Sequence, residues 1–254
     1  MTVIVSILCS DGVVLASDSM LTNSIGEMGT TETKGKKVYD LGDDRIFAFC
    51  NDSSLATRAR LVLEADQSHH GVSDLLEYSV SVSQKLINHF HSTHHPFPLG
   101  LEFLLGCVVN DEPRLIQFNG NLQPTLLDEI HYWRCVGSGK QFADPFLKFL
   151  TDVFCPNKQP TVKVAKWLAY WAIEHTIDTN VGGVNGPIQI TVLEKEGIRY
   201  LVKESDGNDL DYHATSLDAA KKQLSRYRNE ISGDPEDTGA MEPKISIPEL
   251  QAAL

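Results

Sequence analysis

Two strand-length apolar runs at the start of the chain constrain its architecture most. Apolar residues alternate or run unbroken from Thr2 to Ser10 and from Val13 to Asp18, and Asp11-Gly12 joins the two. Asp-Gly between apolar runs is the strongest short-range signal of an antiparallel hairpin. The hairpin starts at a threonine. If Met1 is removed, Thr2 carries a hydroxyl and a free α-amine on one residue, and an α-amine has a pKa of roughly 7.7–8.0, near working pH. Nucleophile and general base are then combined, with the proton passing directly or through a water.

Further along, Lys37 to Leu41 and Arg45 to Cys50 read as a second hairpin around Gly42-Asp43-Asp44, after a polar, Gly- and Thr-rich connection from Ser19 to Lys36. Ser53 or Ser54 caps a helix to about Asp66, and Ser73 a longer one toward His91. Strands resume at Glu102 to Val109, Arg114 to Phe118 and Ile130 to Val136. Gly137-Ser138-Gly139 breaks the last of these and starts a helix with Phe142, Phe146, Phe149 and Leu150 on one side, and a second helix runs from about Thr161 to Ile177. A strand pair, Pro187 to Leu193 and Ile198 to Val202, precedes a helix near Leu217 to Ile231. This order predicts an α+β fold, a four-layer αββα sandwich of two antiparallel sheets flanked by helices. The domain spans residues 1–232, and 233–254 form an acidic, Pro-containing tail.

A chain of 254 residues buries roughly 70–75% of its unfolded surface and needs neither disulfide nor metal for stability. Its five cysteines, Cys9, Cys50, Cys107, Cys135 and Cys155, are odd in number, widely spaced and without a C-x-x-C pair, as expected of reduced core residues in the cytoplasm. No apolar stretch reaches membrane-spanning length, and no basic n-region of a signal peptide opens the chain. The net charge of −12, without a Lys/Arg cluster, argues against nucleic acid. His89, His91, His94 and His95 crowd one helix end but lack a carboxylate or cysteine co-ligand, so no metal site is assigned. Cys9 sits mid-strand without an α-amine, and Gly182-Gly183 with Gly186 lacks the Lys and spacing of a phosphate loop.

In order along the chain stand Thr2, Ala16-Ser17-Asp18-Ser19, Lys36-Lys37-Val38, Val136-Gly137-Ser138-Gly139 and Asp178-x-x-x-Gly182-Gly183. Together these resemble a proteasome β-type subunit over residues 2 to 205, most of all the bacterial branches HslV, Anbu and BPH, with Anbu or BPH nearer than HslV. The resemblance implies a threonine endopeptidase of the N-terminal-nucleophile class without a cofactor. It implies self-association into a ring or stacked rings, a peptide or unfolded-protein substrate, and a place in intracellular protein breakdown. An ATPase or other regulatory partner stays open.

By the same resemblance Thr2 is the nucleophile, Lys37 lowers the pKa of its hydroxyl and amine, and Asp18 holds that lysine charged. Lys34 has the family's spacing from Thr2, but Lys37 begins the apolar strand Lys37-Val38-Tyr39 as the family lysine does, which implies a three-residue insertion. Ser138 and Asp178 match the serine and aspartate that hydrogen-bond around the amine. Cys50 matches the base of the substrate pocket. The oxyanion donor, a backbone N–H usually of glycine, falls in Cys50-Asn51-Asp52-Ser53 and is assigned to Asp52, whose carboxylate would oppose a developing oxyanion. Val181 stands where the family often has serine. These two departures motivate a catalytically weak or idle ring or scaffold subunit as an alternative, beside an amidase acting on small amides.

Overall fold

The computed structural model describes residues 2–24, 30–66, 72, 74–156, 158–180, 182–197 and 199–232. Met1, Ser73, Val181 and 233–254, to which some expectations attach, lie outside the described residues. The chain divides into two compact units, Met1–His213 and Ala214–Leu254, with the division inside the last helix.

In the first unit the opening hairpin forms as the sequence predicts. Strands β1 (Ile4–Cys9) and β2 (Gly12–Ser17) pair from Ile4↔Ser17 to Cys9↔Gly12. Every residue of both is buried, because the sheet is covered on its two faces. The connection read as loop contains a two-stranded antiparallel ribbon, β3 (Met20–Ser24) and β4 (Thr30–Lys34). The Thr-rich composition of β4 suits a strand, but Thr31 to Lys34 are polar and exposed, so no apolar alternation reveals it. Strands β5 (Val38–Asp40) and β6 (Arg45–Asn51) form the second hairpin.

Helices α1 (Ser53–Glu64) and α2 (Leu75–Ser92) follow, capped by Asp52 and Asp74 rather than by serines. A carboxylate outcompetes a neighbouring hydroxyl there because it takes two amide N–H groups and complements the helix dipole. The remaining elements are β7 (Leu101–Val109), β8 (Glu112–Phe118), β9 (Pro124–Leu126), β10 (Trp133–Val136), α3 (Lys140–Phe154), α4 (Val162–Thr179), β11 (Gln189–Glu196), β12 (Arg199–Glu204) and α5 (Gly207–Ser232). The strand foreseen from Ile130 starts only at Trp133, since Asp128 accepts the N–H groups of Ile130 and His131 in a turn. On α3 the buried stripe is Ala143, Leu147, Leu150 and Thr151, and Phe149 is exposed. Phe146 is held sideways instead, stacked on His175 with centroids 4.0 Å apart.

Two five-stranded antiparallel sheets result, β10-β1-β2-β11-β12 and β5-β6-β7-β8-β9. Ile4, Leu8, Val13 and Leu15 of the first meet Ile46, Ala48, Leu104 and Leu115 of the second. The outer face of the second sheet presents Phe47, Phe49, Phe103 and Phe118 to α1 and α2, whose Leu55, Ala59, Leu63, Tyr78, Val82, Leu86 and Phe90 fill the layer between. Helix α4 lies on β1, β2 and β11, with α3 beside it. This is the αββα sandwich expected.

At Gly106 an added Cβ would stand 2.7 Å from Ile46 Cγ1 on the neighbouring strand and 3.0 Å from Val13 Cγ1 on the facing sheet. Gly106→Ala therefore overpacks this point of the core and is expected to cost about 1–3 kcal/mol. At roughly 2–4 °C per kcal/mol for a chain of this size, calorimetry should show a clear fall in Tm.

Candidate active site

Asp18 directly follows β2 and is fully buried. Its Oδ1 accepts the N–H of Val3 at 2.9 Å, and Oδ2 that of Met20 at 3.0 Å. Into the same carboxylate runs Lys37, whose Nζ stands 2.8 and 2.9 Å from the two oxygens. The third Lys37 contact is Thr2 Oγ1, at 3.0 Å. Three segments distant in sequence thus converge on one ion pair whose side chains are 0–1% exposed.

Lys37, not Lys34, occupies this position. Lys34 is exposed at the end of β4, and Lys36 turns outward to Glu204. Burial pulls the Lys37 ammonium below the ordinary lysine pKa, and the charge and hydrogen bonds of Asp18 oppose that shift.

The Thr2 nitrogen donates to Ser138 Oγ at 3.1 Å, and Thr2 O accepts the N–H of Gly139 at 2.9 Å. Glycines flank Ser138 for steric reasons. Gly137 has φ +89°, and a Cβ there would sit 2.4 Å from Thr2 O. A Cβ on Gly139 would meet Val3 Cβ at 2.8 Å and Thr176 Cγ2 at 3.1 Å. Asp178 lies exposed in the last turn of α4, two residues past that Thr176 approach; it is not a partner in the Thr2, Lys37 and Ser138 hydrogen bonds above. Val181, the second departure, is outside the described residues.

Two expectations are corrected. The Asp52 N–H donates to Gly100 O at 2.8 Å, so that amide is engaged in the sheet and is not an oxyanion donor. Its carboxylate caps α1, accepting from Ser54 N and Oγ and from Leu55 N at 2.6–3.0 Å. Burial works against its ionisation, but those bonds and nearby His95 hold its pKa below the ordinary value, so the charge is directed onto the helix N-terminus. The amide on the lysine side is that of Asn51. Strand amides alternate sides, and Phe49 N–H goes to Lys37 O, so two residues on the Asn51 N–H falls on the β5 side of β6. Asn51 lies beyond the last β5 pair, Val38↔Ala48, and has φ +74°. Asparagine is among the few non-glycine residues that tolerate that conformation.

Cys50 does not line an open pocket. It is 1% exposed in the layer between the sheets, with Sγ 3.7 Å from Glu102 Oε2, and burial with that carboxylate pushes its thiol far above the ordinary value. The histidines near the end of α2 surround Arg58, whose guanidinium contacts Nε2 of both His89 and His95. Among the described residues no three His, Cys, Asp or Glu side chains converge as metal ligands, and no helix is long and apolar enough to cross a membrane.

This geometry has relatives. The proteasome subunit family model matches residues 2–192. The chain belongs to the proteasome subunit family. Among solved structures, it is similar to Anbu, an ancestral beta-subunit, from Yersinia bercovieri, with TM-score 0.65 and 14% identity over 94% of this chain and 100% of the other. It is equally similar to an Anbu (Gly-1) mutant from Hyphomicrobium sp. strain MC1, with TM-score 0.64, 14% identity and the same coverage. No curated protein matches it in sequence.

Removing the Asp18 charge should expose how the site is held. In Asp18→Asn the buried lysine loses its counter-ion, expected to cost about 3–5 kcal/mol. Lys37 then binds its proton more weakly in the folded than in the unfolded chain, so raising the pH toward the ordinary lysine pKa relieves a penalty confined to the folded form. Thermal melts from pH 6 to 9 should show the variant gaining stability relative to the parent as pH rises.

Proposed function

We propose that this chain is the peptidase subunit of a ring-shaped, self-compartmentalising assembly for intracellular protein breakdown, with Thr2 as N-terminal nucleophile once Met1 is removed. The observation that carries the reading is Lys37 Nζ, 3.0 Å from Thr2 Oγ1 and bound to the Asp18 carboxylate, on the residue whose nitrogen meets Ser138. Family membership and the Anbu-like fold support it.

With Met1 attached the Thr2 nitrogen is an amide and no base. Freed, it becomes an amine that accepts the Oγ1 proton as the oxygen attacks a substrate carbonyl. The C–O bond forms, the Asn51 N–H faces the developing oxyanion, and the amine returns the proton to the departing nitrogen as the C–N bond breaks. Water then cleaves the ester and regenerates Thr2. Ser138 orients the amine, and Lys37 stabilises negative charge on Oγ1. Asp178 is assigned, by its match to the family pattern alone, as a supporting polar group.

Intact mass of the purified protein is expected to show loss of Met1, and a threonine-directed β-lactone should label Thr2 stoichiometrically, with no labelling in Thr2→Ala. Retention of Met1 with no labelling would sink the peptidase reading and leave a scaffold subunit. Labelling with turnover of small amides but not of peptides would make it an amidase.

A further inference from the structure

Three lysines, Lys34, Lys36 and Lys37, crowd four positions before β5, and only one reaches Thr2. Side-chain faces alternate along an extended chain, so a slip of one residue would bring Lys36 to the site and turn Lys37 outward. The segment Gly35–Lys37 belongs to no strand, and β5 begins only at Val38. Pairing with β6 reaches this segment only through the Phe49 N–H donated to Lys37 O, so further contacts must hold Gly35 and Lys36 in register.

That hold comes from Gln189, the first residue of β11, which pairs with Ser17 immediately before Asp18. Its Oε1 accepts the Lys37 N–H at 2.9 Å, and its Nε2 donates to Gly35 O at 2.8 Å. In a parallel ladder one residue's N–H and C=O bracket a partner residue by bonding the groups on either side of it. The Gln189 carboxamide brackets Lys36 in that manner, so one side chain imitates a missing strand. The backbone is fixed from other sides too: Gly35 N–H donates to Ser19 O at 2.8 Å, and Lys37 O accepts from Phe49 N–H at 3.2 Å. Gln189 therefore ties the lysine segment to the sheet that carries Asp18, while Phe49 ties it to the other sheet.

We infer that Gln189 is a positioning residue for Lys37, selecting it over Lys34 and Lys36 by reading the backbone of Gly35 and Lys37. The inference rests on the Thr2 peptidase reading. Among the natural side chains of this length, the choice is narrow. Glutamate keeps the acceptor but, when ionised, has no donor for Gly35 O, and methionine has neither. A displacement of about 1 Å at a catalytic group can lower a rate about 100-fold.

The experiment compares β-lactone labelling of parent, Gln189→Met and Gln189→Glu, resolved into the limiting rate and the inhibitor's half-saturating concentration across pH 5.5–9. Melts confirm folding, and amide hydrogen exchange is read on Gly35–Val38. In Gln189→Met the limiting rate is expected to fall about 10- to 100-fold with little change in half-saturation. The acidic limb should move up toward the α-amine's ordinary pKa as Lys37 withdraws, and exchange at Lys37 should speed up. In Gln189→Glu the ratio to the parent rate should rise as pH falls, because the protonated carboxyl regains a donor. If Gln189→Met does not fold, that recovery in Gln189→Glu decides alone. Parent-like rate, pH profile and exchange in a labelled series would overturn the inference while leaving the peptidase reading intact; no labelling of the parent overturns both.

Discussion

The carboxylate of Asp18 is the fixed point of the candidate site. Two amide donors from Val3 and Met20 and the Lys37 ammonium meet on its two oxygens, so the starts of β1, β3 and β5 are referenced to one buried group. Such a carboxylate is tolerated in a dry interior only because its acceptor sites are filled and its charge is matched. Conversely, the ammonium would be costly there without it. Each member of the pair is the condition for the other, and the geometry around Thr2 follows from both.

Placement between sheets explains why the site sits where it does. Asp18 belongs to the sheet of β1 and β2, and Lys37 leads into β5 of the other sheet. Their ion pair therefore links the two sheets beyond the apolar layer that contains Ile4, Ala48 and Leu104. Close packing leaves no room for a side chain at Gly106 in the core, or at Gly137 and Gly139 beside Thr2.

What was legible in the sequence was whatever local pattern encodes. The hairpin at Asp11-Gly12, the paired helices and the Gly137-Ser138-Gly139 turn each carry their signal within a few residues, and Thr2, Asp18 and Lys37 stand at their edges. The β3-β4 ribbon was not legible, because Thr31 to Lys34 are polar and exposed and show no apolar alternation. Asp52 displaced Ser53 and Ser54 as cap, and the amide on the lysine side moved to Asn51; both depend on which way consecutive N–H groups point, which composition does not record. The family resemblance places Cys50 at the base of a pocket, yet strand alternation sends its side chain between the sheets toward Glu102. Gln189 was invisible for a different reason: it acts on the backbone of Gly35 and Lys37, and a single glutamine opening an apolar strand resembles any edge residue.

The protonation state of Lys37 decides which group can act as base in the proposed reaction. A neutral amine would offer two N–H groups to Asp18 and a lone pair to the Thr2 hydroxyl; an ammonium would offer all three N–H groups, one of them to Oγ1. The distances suit either. Charge separates them: a neutral lysine would leave a net carboxylate in a site where both side chains are at most 1% exposed, whereas the ammonium makes the pair neutral. Burial lowers the lysine's pKa, but Asp18 at 2.8 Å acts in the opposite sense on the same nitrogen. With the ammonium favoured, Lys37 has no lone pair for the Thr2 proton and can only stabilise the oxygen that loses it. The base must then be the other basic atom beside Oγ1, the nitrogen of Thr2 itself, and that atom is basic only as a free amine. The buried pair and the removal of Met1 are therefore linked requirements: the more firmly Asp18 keeps Lys37 charged, the more completely the reaction depends on an unblocked Thr2.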